Sequence, residues 1–274
     1  MSGRSNSPSE SRNGTMAGHA VMEIAGRIAT ILIHNPSKRN ALTGPFFKEF
    51  VGAFASFDAA GVRAVVIRAG ENDEVWSSGQ DISELEHGSD PLVYDCLLQQ
   101  ALRCVREFRF PVIAMVHGSV WGGAGDLALN CDLTIGDTTS SFAIAATHLG
   151  IPYNSSTLLH VLNRVGLNIA LEMFATAGSF DAERALRVGI LNHLVEPGEL
   201  EPFTYAMART MASNAPLAVT AAKEQLRLLA DALPLATAHF ERINELRQQA
   251  LESDDFREGL RAFRERRAPV FKGS

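Results

Sequence analysis

Residues 111–126 read PVIAMVHGSVWGGAGD, and the fold turns on how this stretch divides. Val112, Ile113, Ala114, Met115 and Val116 form a short uncharged β-rich run, the pattern of a strand buried on both faces of a parallel sheet. The run passes through a glycine turn into the start of a helix. Gly122 and Gly123 lack side chains that would hold a ligand off the backbone, so N–H groups at the helix start can face developing negative charge. Close packing or a tight turn would use the same two glycines. A second stretch of this kind lies upstream, VWSSGQDISEL at 75–85, where a strand again ends in small residues ahead of a helical segment. A thioester or ester carbonyl set between the N–H of Gln80 and the N–H of Gly123 would become an enolate held by two fixed dipoles.

Outward from these loops, strands alternate with helices. Two β-branched runs flank Gly26-Arg27 as a hairpin. Residues 43–59 carry Phe46, Phe47, Phe50, Val51, Phe54 and Phe57 at three- and four-residue spacing behind Pro45, which predicts an amphipathic helix with its phenylalanines in the core. A buried strand at 62–69 delivers the chain to Trp76 and the first loop. After a short helix beyond Asp81, HGSDP at 87–91 predicts a mobile flap. Helices are expected at 92–108 and 158–174, strands at 133–137 and 141–145, and a Gly/Pro-rich loop at 147–156. Asp181 caps a helix that Gly189 closes, and a strand follows at 191–197. This alternation implies βαβ units and a largely parallel sheet with right-handed crossovers. From about 199 to 267 only helices are predicted, three or four of them, with Pro216 opening one and Ser253 capping the last. Leu226, Leu228, Leu229, Phe240, Ile243 and Leu246 there suit packing on the core or on another subunit. The expected organisation is a disordered Ser/Gly/Asn-rich tail at 1–18, an α/β core at 19–200 and a helical region at 201–274.

The 274 residues are 46% apolar and 20% charged, with a formal charge of −6, so there is ample material for one large core and no general nucleic-acid surface. Cys96, Cys104 and Cys131 are an odd number without metal-ligand spacing and read as reduced thiols, with no metal site implied. No run is long enough to cross a membrane and no signal segment opens the chain, so a cytoplasmic location without membrane partners is expected. His117, His148 and His160 have no partner at a diagnostic spacing. Ser77 and Ser78 precede a glycine outside any G-x-S-x-G elbow, which argues against a serine hydrolase.

Five stretches carry a family resemblance: NPSKRNALT (35–43), WSSGQDISEL (76–85), HGSVWGGAGDLALNCDLTI (117–135), RALRVGILNHLV (184–195) and AFRERRAPVFKG (262–273). From about residue 20 to the end the chain resembles the enoyl-CoA hydratase/isomerase (crotonase) superfamily. The resemblance implies a crotonase spiral of ββα turns with a C-terminal helical trimerisation region. It also implies a homotrimer or dimer of trimers and an acyl-CoA substrate, with coenzyme A part of that substrate and no separate cofactor. It sets the peptide N–H groups of Gln80 and Gly123 on the thioester oxygen, and Ser78, Asp81, Ile82, Trp121 and Gly122 around the acyl-CoA. Lys38, Ala41 and, from a neighbouring subunit, Phe263 and Lys272 are placed by it near the nucleotide. Lys38 as a solvated turn residue and Phe263 as a packing residue are the competing readings.

The same resemblance bears on the reaction. A hydratase of this family needs two carboxylates to activate water, and the two positions fall on Asp126 and Ala146. Ala146 cannot handle protons. Decarboxylation of a 2-carboxyacyl thioester needs only a polarised carbonyl and a held carboxylate, and Tyr153 in LGIPYN matches the tyrosine that binds it. GSVWGGA (118–124), LGIPYN (149–154) and SDPLVYD (89–95) resemble this decarboxylating branch, whose reaction is methylmalonyl-CoA to propionyl-CoA, although Gln80 and Asp126 stand where that branch carries histidine and glutamate. A hydratase or isomerase working with Asp126 alone, and a non-catalytic acyl-CoA-binding protein, are the alternatives.

Overall fold

β1 (His19–Ala25) and β2 (Ile28–His34) form the expected antiparallel hairpin, turning at Gly26 with φ of 63°. The computed structural model describes residues 19–70, 73–84, 90, 92–231 and 237–273. The expected tail at 1–18, all of the flap except Asp90, and the side chain of Phe240 lie outside the described residues.

The remaining strands are β3 (Ala64–Ala69), β4 (Val75–Ser77), β5 (Val112–Val116), β6 (Ser119–Trp121), β7 (Leu133–Asp137), β8 (Ser141–Ala143), β9 (Phe180–Asp181) and β10 (His193–Val195). They divide into a six-stranded sheet, β1-β2-β3-β5-β7-β10, and a four-stranded sheet, β4-β6-β8-β9. The helices of the core are α1 (Gly44–Phe57), α2 (Leu97–Glu107), α3 (Gly123–Asn130), α4 (Ser155–Val165), α5 (Leu167–Thr176) and α6 (Ala182–Val188). Each turn of the chain lays one strand in the large sheet, the next in the small sheet, and returns by a helix: β3, β4, α2, then β5, β6, α3, then β7, β8, α4. That is the spiral of ββα turns. β5 runs parallel between β3 and β7 with all five residues buried, as its uncharged sequence requires.

Residues 111–126 therefore hold two strands rather than one. The chain turns at Gly118, φ 66°, where a Cβ would lie 2.2 Å from the carbonyl oxygen of Glu74, and β6 then joins the other sheet. Residues 158–174 are likewise two helices, because Gly166 at φ 76° interrupts the ladder. The helix expected from Leu92 starts only at Leu97. The residues before it are held in turns, with Asp90 accepting from the Leu92 N–H at 2.8 Å and Val93 from that of Cys96 at 3.0 Å.

α1 is capped by Thr43, and its phenylalanines form a continuous ring ladder with Phe108 and Phe110. Each fully buried ring contributes about 1.5–3 kcal/mol. Among the described residues four α-helices and no strand follow β10: α7 (Leu200–Ser213), α8 (Pro216–Ala230), α9 (Thr237–Glu252) and α10 (Asp254–Arg264). α7 covers one face of the large sheet through Leu200, Ala208 and Ala212. α10, capped by Ser253, lies so close to residues 149–150 that a Cβ on Gly259 would sit 2.3 Å from Leu149 O.

α8 is pinned to the core by charge. Lys223 and Arg227 reach Asp132 at 2.7 and 2.8 Å, while the second role of Asp132 is to accept the Val112 N–H that starts β5. The Lys223 side chain is only 8% exposed. Asp132→Ala strands that ammonium, so it should lower the unfolding free energy by about 3–5 kcal/mol, read as a lower urea midpoint at unchanged slope.

Candidate active site

The ends of β4 and β6, the start of α3, the 145–153 segment and α10 enclose a cavity of about 440 Å³. Its construction depends on two glycines. Gly79 has φ 89°, and a Cβ there would come within 2.5 Å of Trp121 O and 3.2 Å of Gly123 N. A Cβ on Gly123 would lie 3.6 Å from Gln80 N. The two loops thus touch backbone to backbone, and the amides of Gln80 and Gly123 share one space.

Both amides are unspent. On either side of Gln80 the chain bonds to Leu42, whose N–H donates to Gly79 O at 2.8 Å and whose carbonyl accepts from Asp81 N at 3.0 Å. Gly122 donates to Ala143 O at 2.9 Å, but Gly123 is the first residue of α3, where N–H groups have no partner within the helix. Among the described residues nothing accepts from either N–H. Gly122, at φ 51° and ψ −124°, makes the turn that a side chain would strain.

Asp126 lies one turn into α3, 1% exposed, with both carboxyl oxygens buried and unpartnered. Burial lifts its pKa well above the ordinary 3.8 and so favours the uncharged, protonated form. Tyr153 is buried too, its ring edge-on to Phe174 at 4.9 Å, and burial followed by the nearby Asp126 pushes its hydroxyl well above the usual phenol range. Ala145 and Ala146 form wall where a second acid would be needed, and Asp126 is the only acidic side chain among the described lining residues. Asp126→Asn keeps shape and charge. Because the folded carboxyl has the higher pKa, the native state holds its proton longer and loses stability as pH rises past about 4. The variant should therefore melt higher than the parent at pH 7, with the gap closing below pH 4; an equal gap at both would show an ionised or solvated carboxylate.

Gln80, Gly123, Asp126, Tyr153, Ser78, Ile82, Trp121 and Gly122 all line this one cavity. Lys38, Ala41, Asp81 and Lys272 do not. Lys38 and Asp81 pair with each other at 2.7 Å, and Ser83 also donates to Asp81. Ala41 is buried in the 35–43 turn, its carbonyl accepting from Asn35. The Lys272 N–H donates to Asp255 at 2.6 Å, away from the cavity. Phe263 lines it from α10 of the same chain, where the close Gly259–Leu149 approach folds α10 over the 145–149 segment.

Sequence reasoning missed several walls. Arg39, Leu92, Leu98, His148, Leu149 and Ile151 also face the cavity. Arg39 had a local signal: it follows Pro36 in a polar turn, adopts φ 53°, and its carbonyl accepts the Ser78 N–H that holds the first loop. Leu98 had none, being an ordinary helix position whose methyl would meet a Cβ on Gly123 at 3.2 Å.

The family model for enoyl-CoA hydratase/isomerase matches residues 23–274. The chain belongs to the enoyl-CoA hydratase/isomerase family. Methylmalonyl-CoA decarboxylase of Escherichia coli strain K12 is 40% identical over 248 residues, which cover 90% of this chain and 95% of that protein. Short-chain-enoyl-CoA hydratase of Clostridium acetobutylicum is 29% identical over 76% of this chain and 80% of that protein. Among solved structures, methylmalonyl-CoA decarboxylase in complex with 2-nitronate-propionyl-CoA superposes with TM-score 0.90 at 39% identity, covering 93% of this chain and 99% of that one. Its complex with 2S-carboxypropyl-CoA gives 0.90 at 38% identity, over 94% and 100%. The two-sheet spiral is thus the crotonase fold.

Proposed function

We propose that this chain decarboxylates a 2-carboxyacyl-CoA thioester, methylmalonyl-CoA to propionyl-CoA. The observation that carries the reading is that two unspent backbone amides face one cavity whose described lining has a tyrosine and one acid, Asp126, buried and unpartnered. The 40% identity to methylmalonyl-CoA decarboxylase and the superposition on its carboxypropyl-CoA complex support it.

In this reading the thioester oxygen accepts from the N–H groups of Gln80 and Gly123, and the Tyr153 hydroxyl donates to the substrate carboxylate. Asp126, kept neutral by burial, leaves that carboxylate unrepelled. The bond from C2 to the carboxylate breaks, its electron pair forms the C1–C2 enolate, and carbon dioxide departs. The two amides hold the new negative charge. C2 then takes one proton from an O–H group in the cavity, that of Tyr153 or of Asp126, and the donor regains its proton from water after product leaves. The thioester is its own electron sink, so coenzyme A enters only as part of the substrate. Ala146 provides no base to activate water, which separates this chemistry from hydration.

Lys38, held beside the first loop by Asp81, is assigned to the nucleotide end of coenzyme A. A trimer or paired trimers in the cytoplasm complete the reading. The exposed Leu217, Leu226, Leu228 and Leu229 of α8 support association, and no described helix is long and apolar enough to cross a membrane. Methylmalonyl-CoA and crotonyl-CoA offered separately to the purified protein test the assignment. Propionyl-CoA should accumulate from the first, with the second unchanged. Hydration of crotonyl-CoA without decarboxylation would make the chain a hydratase, and thioester binding without any turnover would make it a binding protein.

A further inference from the structure

A second cavity, of about 570 Å³, lies among α2, α4 and α8, and the proposed reaction makes no use of it. Its charged wall holds four cations, Arg106, Arg164, Lys223 and Arg227, against Asp132 and Asp231, and the cations are not equally satisfied. Lys223 and Arg227 share Asp132. Arg164 spends its guanidinium on the carbonyls of Leu129 and Cys131, at 2.9 and 2.5 Å, which closes the end of α3. Arg106 differs. It meets His160 Nε2 and, at 3.5 Å, the Ser156 hydroxyl, and no described carboxylate pairs with it. Its Nε is buried without an acceptor.

The electrostatics point the same way. Burial, then the neighbouring Arg227, holds Arg106 below the usual arginine range, against the opposite pull of Asp231, which lines the same cavity, and of Glu107. Burial, then Arg106, pushes His160 down to about 4, so its ring is neutral at pH 7 and accepts from Arg106 instead of adding charge. Arg227 already has Asp132, whereas the half-buried Arg106 has no described carboxylate, so a partly desolvated cation is left for an anion to neutralise. The planar fork of arginine favours oxyanions of the phosphate type. Leu133, Met211 and Val219 supply apolar wall beyond the charges, leaving room for an organic body.

We propose that this cavity is a binding site for a phosphate-class oxyanion, held by Arg106 and Arg227. It is separate from the acyl-CoA cavity, since the two share no lining residue.

Calorimetric titration of the intact protein tests this, with propionyl-CoA present at saturation so that the phosphates of coenzyme A already occupy their own site. Inorganic phosphate in chloride-free buffer should bind once per chain. Arg106→Gln should weaken it by roughly tenfold to a hundredfold, the worth of a hydrogen bond to a charged group. Arg106→Lys should fall between the two, keeping the charge and losing the fork. Circular dichroism and melting without phosphate establish that the variants are folded. An alkyl phosphate binding tighter than inorganic phosphate would identify an organic phosphate as the occupant, and equal affinity free phosphate. No phosphate binding, or equal binding by folded Arg106→Gln, would overturn the proposal and leave neutralisation of Arg106 to other means, such as a carboxylate of a second copy of this chain.

Discussion

Gly79→Ala should lower the turnover of methylmalonyl-CoA by about 10²–10³, the loss that follows removal of an oxyanion donor. The residue touches no substrate atom in the proposed mechanism. Its role is to let two loops meet: the added methyl would stand 2.5 Å from Trp121 O and 3.2 Å from Gly123 N, and φ 89° is strained for alanine besides. The neighbours in the way are backbone, so relief requires the loops to part, which pulls the Gln80 and Gly123 amides out of their common space. Gly123→Ala is the milder control. Its methyl presses at 3.2 Å on Leu98, a side chain that can give, and helical backbone tolerates alanine. The loss in turnover should therefore be larger for Gly79→Ala, and the reverse order would show that the contact between the loops is not what sets the site.

Tyr153→Phe should cost roughly tenfold to a hundredfold in kcat/KM for methylmalonyl-CoA, as expected for one hydrogen bond to a buried carboxylate. The ring stays, so the edge-on contact with Phe174 and the melting temperature should stay with it. Propionyl-CoA, which lacks the carboxylate, should bind parent and variant alike. A variant that loses affinity for propionyl-CoA to the same degree would show Tyr153 shaping the acyl cavity in general rather than receiving the carboxylate.

What the sequence made legible follows its physics. The phenylalanines of α1 repeat at helical spacing because one face must be buried, and β5 is uncharged because it is covered on both sides. Gly26, Asp181, Gly189 and Ser253 announce turns and caps through chemistry local to a few residues. The small sheet was hidden. β4, β6 and β8 have three residues each, too few for any periodicity, and they pair with one another, and β8 with β9, across long stretches of chain. Gly166 breaks a helix although a glycine inside a helical pattern does not always do so. At the site, Gln80 and Gly123 were legible because close backbone approach demands glycine nearby, whereas Leu98 and His148 arrive by tertiary packing that leaves no local trace. The resemblance implied a Phe263 supplied by a neighbouring subunit, while the presence of this chain's own Phe263 at the cavity follows from the tight Gly259–Leu149 contact, which has no local trace in the sequence.

The account stands or falls on an enolate forming between two main-chain amides, and product analysis in deuterium oxide reads that directly. Methylmalonyl-CoA incubated with the protein should give one carbon dioxide and one propionyl-CoA per thioester consumed, with a single deuteron at C2, and Gly79→Ala should give neither at a comparable rate. Methylmalonyl-CoA that loses carbon dioxide no faster with the protein than without it would contradict the account.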